Sequence, residues 1–391
     1  MRVGLLGFGV VGGGVGLILT QEKDKIKALL GEDVVIVKAL VKDVKEHLGT
    51  PFEHFVTEQV EDVLEDPTID VIFEALGGID LPFEWISRAI KAKKHVITAN
   101  KAVIAAYYPK LQSLANENGV TLSVEACVGG GIPIISTVED HALFGHTVGV
   151  YGILNGTGNY ILTKIERESW TFEDALKDAQ RLGYAEAIPD DDVDGFDAAR
   201  KILILTALIY GQHFVLEDVF IQSIRKVATL DFENLSKLGR TIRFVVSTEY
   251  NEDGLYLAAR PLAVHKTSVL GQTNYVDNCL VIKHSHLNEI SLKGPGAGRL
   301  PTANAMVADL VRLKGKQFSK KPVFQNGQLG IVPTKNYYVR AEGDILTNLK
   351  EQGYVMCLHE GFAEVNSDNP HVLVKLIESL TAHYFFAEMD T

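Results

Sequence analysis

The densest run of side chains able to do chemistry lies near the middle of the sequence. It comprises Gly183-Tyr184-Ala185-Glu186, then Asp190, Asp191 and Asp192, then Asp194, Asp197 and Lys201. Carboxylates at this density can hold a substrate ammonium group, and a lysine among them can protonate a developing alkoxide. Asp197 and Lys201 stand four residues apart, so on a helix they share a face. On an exposed helix such a pair is a surface ion pair worth well under about 1 kcal/mol. Here apolar Ile202, Leu203 and Leu205 follow at once, which puts the pair at the entrance to a buried helix and favours a site. Lys101 is a second candidate, since it follows an apolar run, although most lysines are surface residues. Thr157 and Asn159, in Asn155-Gly156-Thr157-Gly158-Asn159, suit a substrate carboxylate or ordinary turn chemistry.

Two glycine-rich stretches complete the inventory. Gly7-Phe8-Gly9-Val10-Val11-Gly12 matches G-x-G-x-x-G. In that pattern the first glycine makes the sharp turn, the second lets backbone approach a pyrophosphate, and the third lets helix and strand pack closely. The helix N-terminus then attracts phosphate charge. The second stretch is Glu125-Ala126-Cys127-Val128-Gly129-Gly130-Gly131-Ile132-Pro133. Its carbonyls and Glu125 could ligate a monovalent cation, although glycines in such a turn usually serve backbone geometry. Cys127 invites comparison with a thiol nucleophile, but that chemistry needs a positioned base and no histidine lies within ten residues.

Positioning these groups requires strands that end at them. Residues 2–6 predict a buried strand, 10–30 a helix and 34–41 a second strand, the context that gives the glycine motif its meaning. Strands are expected at 71–75, 95–98 and 120–125, with helices at 82–91 and 109–118. This alternation implies a doubly wound parallel sheet with ligand at the carboxyl ends of its strands. Thr98 ends one such strand, and Gly77 and Lys101 lie just past such ends. Beyond residue 130 the pattern changes. A strand at 148–154, helices reaching Glu168 and Gly183, a helix over 195–210 and later strand-like segments predict an α+β domain, followed by Gly294-Pro295-Gly296-Ala297-Gly298 and a helix over 301–313. The expected organisation is a Rossmann-type dinucleotide-binding domain over 1–130 with 301–313, an α+β catalytic and dimerisation domain over 131–300, a linker over 314–335, and a small separate β-α-β module over 336–391. That tail carries three Lys/Arg against nine Asp/Glu.

Composition excludes several classes. The 391 residues are 46% hydrophobic, enough for a large core, and a net charge of −12 disfavours nucleic-acid or anionic-membrane binding. The glycines within residues 3–19 and the charged segment after them argue against a signal peptide or membrane span. Three widely spaced cysteines without Cys-x-x-Cys predict a reducing, cytoplasmic setting with neither disulfides nor a zinc site, and the histidines show no metal-binding spacing.

The chain resembles the homoserine dehydrogenases, in the short form without a fused kinase. The resemblance covers about residues 1–313. It rests on the first glycine motif, on His95 through Lys101, on Glu125 through Pro133, on Gly152 through Thr157, on Arg181 through Glu186 and on Asp192 through Lys201. It implies reversible NAD(P)H-dependent reduction of L-aspartate 4-semialdehyde to L-homoserine, on the branch to threonine and methionine. It implies Lys201 as proton donor and acceptor with Lys101 lining the site, and Glu186, Asp192 and Asp197 around the substrate with Thr157 and Tyr184 nearby. The turn Gly7, Phe8, Gly9, Val10, Val11 and Gly12 would hold the cofactor. Gly183, Gly296 and Gly298 would approach the nicotinamide end. A cation, expected to be sodium, would use Glu125 with the carbonyls of Val128, Gly130 and Ile132. A homodimer or homotetramer is expected.

Cofactor choice turns on the end of the second strand, Val41-Lys42-Asp43. An acid there favours NAD and a basic residue favours the 2′-phosphate of NADP. Relatives often carry arginine at the position of Lys42, so NADP(H) is preferred, with NAD(H) left open by Asp43. Many relatives have Asp where Ile188 stands. The tail resembles a shortened ACT domain, which makes threonine a candidate effector, but Glu342-Gly343-Asp344-Ile345 lacks the usual Pro-Gly turn. The competing reading is a catalytically inactive amino-acid or nucleotide sensor on the same fold, which the retained lysines and acids disfavour.

Overall fold

The apolar runs between the early glycine turns assemble into a parallel sheet. A computed structural model describes residues 1–141, 145–315, 324–332 and 334–390. The strands are β1 (Arg2–Leu6), β2 (Val35–Leu40), β3 (Val56–Thr57), β4 (Val71–Glu74), β5 (His95–Thr98) and β6 (Leu122–Ser123). They lie in the order β3-β2-β1-β4-β5-β6, every pair parallel. The order reverses at β1, and the crevice beyond the carboxyl ends of β1 and β4 is where such sheets bind ligands. Strands covered on both faces read as unbroken apolar runs, which is why Val3, Leu5, Val71, Ile72 and Phe73 are all buried.

Helix limits depart from the sequence expectation in ways that have local causes. The expected helix over 10–30 is two, Val10–Gln21 and Lys23–Leu30, the second closed by Gly31 at φ +70°. The helix expected to begin at Pro109 begins at Lys101 instead, because Asn100 caps it by accepting from Val103 N, so Pro109 lies inside it. Lys101 is therefore the first helical residue rather than part of a loop. The strand expected over 120–125 shortens to Leu122–Ser123, and Glu125–Cys127 form one 3₁₀ turn. The Arg299–Gly315 helix lies against Val10–Gln21, where a side chain at Gly14 would meet the Arg299 carbonyl at 2.9 Å.

The chain forms two compact units. The first comprises Met1–Leu143, Leu203–Val215 and Pro295–Asn326; the second comprises Phe144–Ile202, Leu216–Gly294 and Gly327–Thr391. The first unit thus extends beyond the expected 1–130 and 301–313. The linker expected over 314–335 divides between the units, and its residues 316–323 and 333 lie outside the described residues. The remaining strands are β7 (Thr147–Ile153), β8 (Gln212–His213), β9 (Val219–Ile221), β10 (Arg240–Asn251), β11 (Gly254–His265), β12 (Asp277–His284), β13 (Asn288–Pro295), β14 (Gln325–Asn326), β15 (Lys335–Arg340), β16 (Val355–His359), β17 (Phe362–Ser367) and β18 (Phe385–Met389). β8 and β14 form a short parallel pair in the first unit. The second unit is built on a ten-stranded sheet with the order β13-β12-β7-β10-β11-β18-β15-β17-β16, with β9 beside β11.

The tail was expected to stand apart, and it does not. It runs β15, helix Gly343–Glu351, β16, β17, helix Pro370–Leu380, β18, one strand more than the sequence suggests. β18 lies between β15 and β11, pairing Leu262 with Glu388 and Ala263 with Met389. Every residue of β18 is buried, so the strand needs neighbours on both edges. Arg260 on β11 and Glu388 on β18 lock this junction through a bidentate pair of 2.6 and 2.7 Å, both side chains almost wholly out of water. Burial alone would raise the Glu388 carboxyl, but Arg260 and Lys335 more than offset it and hold the carboxyl low. Removing one partner of a buried pair strands the other charge. Glu388→Ala should therefore lower stability in urea by roughly 3–5 kcal/mol. A loss below about 1 kcal/mol would show that Glu249, 3.7 Å from the same guanidinium, suffices as counter-charge.

Candidate active site

The glycine turn after β1 has the shape its sequence implies. Gly7 has φ +94°, and a side chain there would press on the Ala75 carbonyl at 2.9 Å. A side chain on Gly12 would collide with the Gly7 carbonyl. At Gly9, which starts the Val10–Gln21 helix without a side-chain cap, nothing lies within 4 Å of where a side chain would go. That open, uncapped helix end, beside exposed Val10 and half-buried Val11, fits a dinucleotide pyrophosphate. Phe8 contributes backbone only: its buried ring packs on Phe52 and Phe55 at 5.1 and 5.5 Å. Lys42 is exposed two residues past β2, whereas the Asp43 carboxylate accepts from Lys45 N at 2.8 Å in a local turn.

The loops after β4 and β5 are joined by a residue that sequence reading passed over. Glu74, the last residue of β4, is fully buried. It accepts from Leu76 N at 2.8 Å, from Asn100 Nδ2 at 3.5 Å and from the Thr98 hydroxyl. Thr98 in turn accepts from Asn100 N at 2.9 Å, and Asn100 Nδ2 reaches the Gly78 carbonyl at 3.0 Å. One carboxyl thus ties the Gly77-Gly78 turn to the helix that opens with Lys101. Burial pushes this carboxyl up to about 7 against the pull of those hydrogen bonds. The available signal was an acid ending the apolar run Val-Ile-Phe just before Ala-Leu-Gly-Gly. Cys127 is buried and directed at the Thr98 carbonyl at 3.4 Å, and burial raises its thiol well above the ordinary value, which disfavours a nucleophilic thiolate.

Asp197 and Lys201 stand one turn apart on the part of the Phe196–Tyr210 helix that belongs to the second unit, as the spacing predicts. Lys201 Nζ donates to Asp197 Oδ2 at 2.8 Å and to the Leu154 carbonyl at 2.6 Å, with the two side chains 11% and 9% exposed. Asn155 caps the Gly156–Glu168 helix through its carbonyl, accepting from Gly158 N. Its amide nitrogen donates to Asp192 Oδ1 at 2.7 Å and Asp197 Oδ2 at 2.9 Å. Thr157 donates to the Tyr184 carbonyl at 2.6 Å, latching the 155–159 loop to the 183–186 loop. Gly183, at φ +77°, turns the chain out of the Phe172–Arg181 helix. Burial, with nearby Asp197, raises the Asp192 carboxyl, while Asn155 and Lys201 pull it back.

The other acids of the cluster have structural partners. Asp190 and Asp194 pair with Arg225 at 2.5 and 2.7 Å, and Asp191 pairs with Arg200 at 2.6 Å. Those three carboxylates are thus paired within the chain. Asn159 is also corrected: its amide donates to the Thr273 and Asp277 carbonyls at 3.3 Å. Glu186 lies exposed on its loop, its carbonyl held by Gln180. Tyr184 is partly exposed, its ring 5.1 Å from that of Tyr160.

The Glu125 turn differs from the expected cation cage. The buried Glu125 carboxylate accepts from Ile135 N and Ser136 N at 2.8 and 2.9 Å, at the start of the Ile134–His141 helix, and pairs with Arg312 at 2.9 Å. Its main-chain N–H bonds Asp309, whose carboxyl burial raises to about 7. The Ile132 carbonyl accepts from Ile134 N. Glu125 therefore offers no free carboxylate, and a cation here would draw on main-chain oxygens of the turn, where Gly129 and Gly130 have φ +74° and +56°. A side chain at Gly130 would meet Gly296 at 2.6 Å, so buried Gly296 abuts this turn, while Gly298 (φ +124°) is exposed.

Residues 7–125 match the homoserine dehydrogenase NAD-binding domain, and residues 133–311 match the homoserine dehydrogenase family. The homoserine dehydrogenase of Bacillus subtilis is 38% identical over 87% of this chain and 76% of its own. The chain belongs to the homoserine dehydrogenase family. Its members are NAD(P)-dependent oxidoreductases acting on a CH–OH group. The crystal structure of a homoserine dehydrogenase from Thiobacillus denitrificans superposes with a TM-score of 0.90 at 28% identity, covering 100% of this chain and 98% of that one. A hyperthermophilic archaeal homoserine dehydrogenase in complex with NADPH gives a TM-score of 0.69 at 25% identity over 82% of this chain and 99% of that one. Among the described residues no helix is long and apolar enough to cross a membrane.

The Glu74 network has a measurable signature. A carboxyl whose folded value lies near 7, above its ordinary 4.5, keeps its proton in the folded chain while the unfolded chain has lost it, so stability falls as pH rises between those values. Glu74→Gln mimics the protonated form. The variant should gain relative to the parent between pH 5 and pH 7 in urea unfolding, by about 1–3 kcal/mol. An unchanged difference across that window would mean that Glu74 is ionised in the fold.

Proposed function

We propose that this chain catalyses the reversible NAD(P)H-dependent reduction of L-aspartate 4-semialdehyde to L-homoserine, on the route to threonine and methionine. The observation that carries the reading is Lys201. An ammonium group has three N–H donors, and Asp197 and the Leu154 carbonyl take two of them. The third would donate to a substrate oxygen. The nicotinamide supplies the hydride when bound. Lys201 hydrogen-bonds the aldehyde oxygen, stabilises the negative charge that develops there and delivers the proton. Asp197 holds Lys201 in place. Glu186 and Asp192 bind the substrate ammonium, with Thr157 and Tyr184 shaping the loop that presents them, and this fixes the orientation of the aldehyde. Lys101, at the positive end of its helix, contributes a second cationic group.

NADPH is the proposed cofactor over NADH. Exposed Lys42 suits a 2′-phosphate, while Asp43 is engaged by Lys45 N and so competes poorly for a ribose hydroxyl. Main-chain oxygens of Val128, Gly130 and Ile132 suit sodium, with Glu125 as a fixed negative charge behind them. The β-α-β-β-α-β order of the tail supports an ACT-like regulatory role with threonine as the effector, in a homodimeric or homotetrameric enzyme.

Lys201→Ala should lower kcat for NADPH oxidation with aspartate semialdehyde by about 10²–10⁴-fold, with cofactor binding intact. Full activity in that variant would remove the mechanism. Cofactor binding without turnover in the parent would favour the sensor reading. Lys42→Ala should raise KM for NADPH while leaving KM for NADH near its parent value. An equal effect on both would mean that Lys42 does not read the 2′-phosphate.

A further inference from the structure

Among the described residues, one further group of metal-binding side chains converges, at the β16–β17 hairpin. Cys357, His359 and Glu364 each offer one ligand atom, and the three atoms lie within 4.8 Å of one another. We propose that they form a surface site for a divalent transition-metal ion of the zinc class, completed by water. The sequence shows only Cys-x-His with a glutamate five residues on, which is not a metal spacing. The convergence is made by strand pairing.

A local irregularity produces it. Residues facing each other across an antiparallel pair project to the same side, and sides alternate along each strand. Val355 faces Val365, yet Cys357 faces Glu364, so β16 advances two residues where β17 advances one. Met356 is the extra residue of a bulge, and bulges re-aim side chains. Without it Cys357 would share the side of Val365, which is buried against the tail helices. With it, Cys357, His359, Glu364 and Phe362 share the other side.

The ligands are also partly organised. The His359 ring stacks on Phe362 at 4.2 Å and 6°, and Phe362 is only 2% exposed, so the imidazole plane has a fixed floor. His359 Nε2 lies 2.8 Å from Glu364 Oε1. Glu364 sits on a strand paired on both edges, whereas Cys357 is exposed and on the outermost strand. Tetrahedral zinc, with bonds of about 2.0–2.3 Å, places its donors roughly 3.3–3.7 Å apart. The Cys357 side chain is the one free to close that difference. Binding would exchange the His359–Glu364 hydrogen bond for two metal bonds, with the imidazole proton carried on the ring nitrogen that does not bind the metal, and would release the thiol proton to water. A sulfur–nitrogen–oxygen donor set suits zinc and its neighbours, whereas calcium and magnesium require oxygen ligands. Three protein ligands plus water make an open site.

The test uses the full chain stripped with a chelator. Zinc is titrated in competition with a chromophoric chelator, and cobalt(II) is used to read the thiolate-to-metal charge-transfer band. We expect one equivalent bound, affinity weakened about tenfold or more by Cys357→Ser, His359→Asn or Glu364→Gln, and no charge-transfer band in Cys357→Ser. Zinc should raise Tm in the parent and not in Cys357→Ser, which also confirms that the variant folds. A parent without the band, or affinity unchanged in all three variants, would overturn the proposal. None of these readouts depends on the catalytic reading.

Discussion

An ammonium group withdrawn from water must be surrounded by acceptors, and Lys201 shows how much structure that demands. Lys201 is held by Asp197 from its own helix and by the Leu154 carbonyl from the end of β7. Asp197 in turn needs donors, and Asn155 supplies one while also capping the next helix. That cap fixes where the Gly156–Glu168 helix begins, hence where Thr157 stands and which carbonyl of the 183–186 loop it can reach. A single requirement, that a buried charge be matched, thus propagates through two helices and a loop. The surrounding acids satisfy the same rule separately, through Arg200 and Arg225, which leaves few carboxylates to meet a substrate.

The first unit is governed by exclusion rather than attraction. Gly7, Gly12 and Gly14 each sit where a side chain would strike backbone, whereas Gly9 faces open space. The helix end is therefore pressed against the sheet on one side and bare on the other, the arrangement an anionic ligand needs. Glu74 plays a matching part at the neighbouring strand. Leu76 N, Thr98 and Asn100 donate to it, and burial outweighs them and brings its proton affinity toward neutrality.

The tail illustrates how a sheet absorbs a module. β18 is too apolar to be an edge, and its buried glutamate needs the arginine of β11, so the chain end becomes continuous with the strands of the second unit. At the far edge of the same sheet one inserted residue changes which side chains share a face. Both effects arise from pairing and not from composition.

Much was legible from residue order alone. Glycine spacing, apolar runs of strand length and the four-residue step from Asp197 to Lys201 identified the dinucleotide turn, the parallel sheet and the Asp197–Lys201 ion pair, because each depends on contacts between residues near in sequence. The cap on Asn100, which moved the start of a helix from Pro109 to Lys101, was also local, but proline is the louder signal. The rest required the fold. Arg225 lies 31 residues from Asp194, Glu388 lies 128 from Arg260, and Arg312 lies 187 from Glu125. Nothing in a string of residues says which of several acids will find its partner at such a separation. Glu74 and the Cys357–His359–Glu364 group were hidden for the same reason. Burial depends on what packs above a residue, and register depends on how two strands meet, so the sequence determined which groups were available and only the tertiary structure decided which of them stand together.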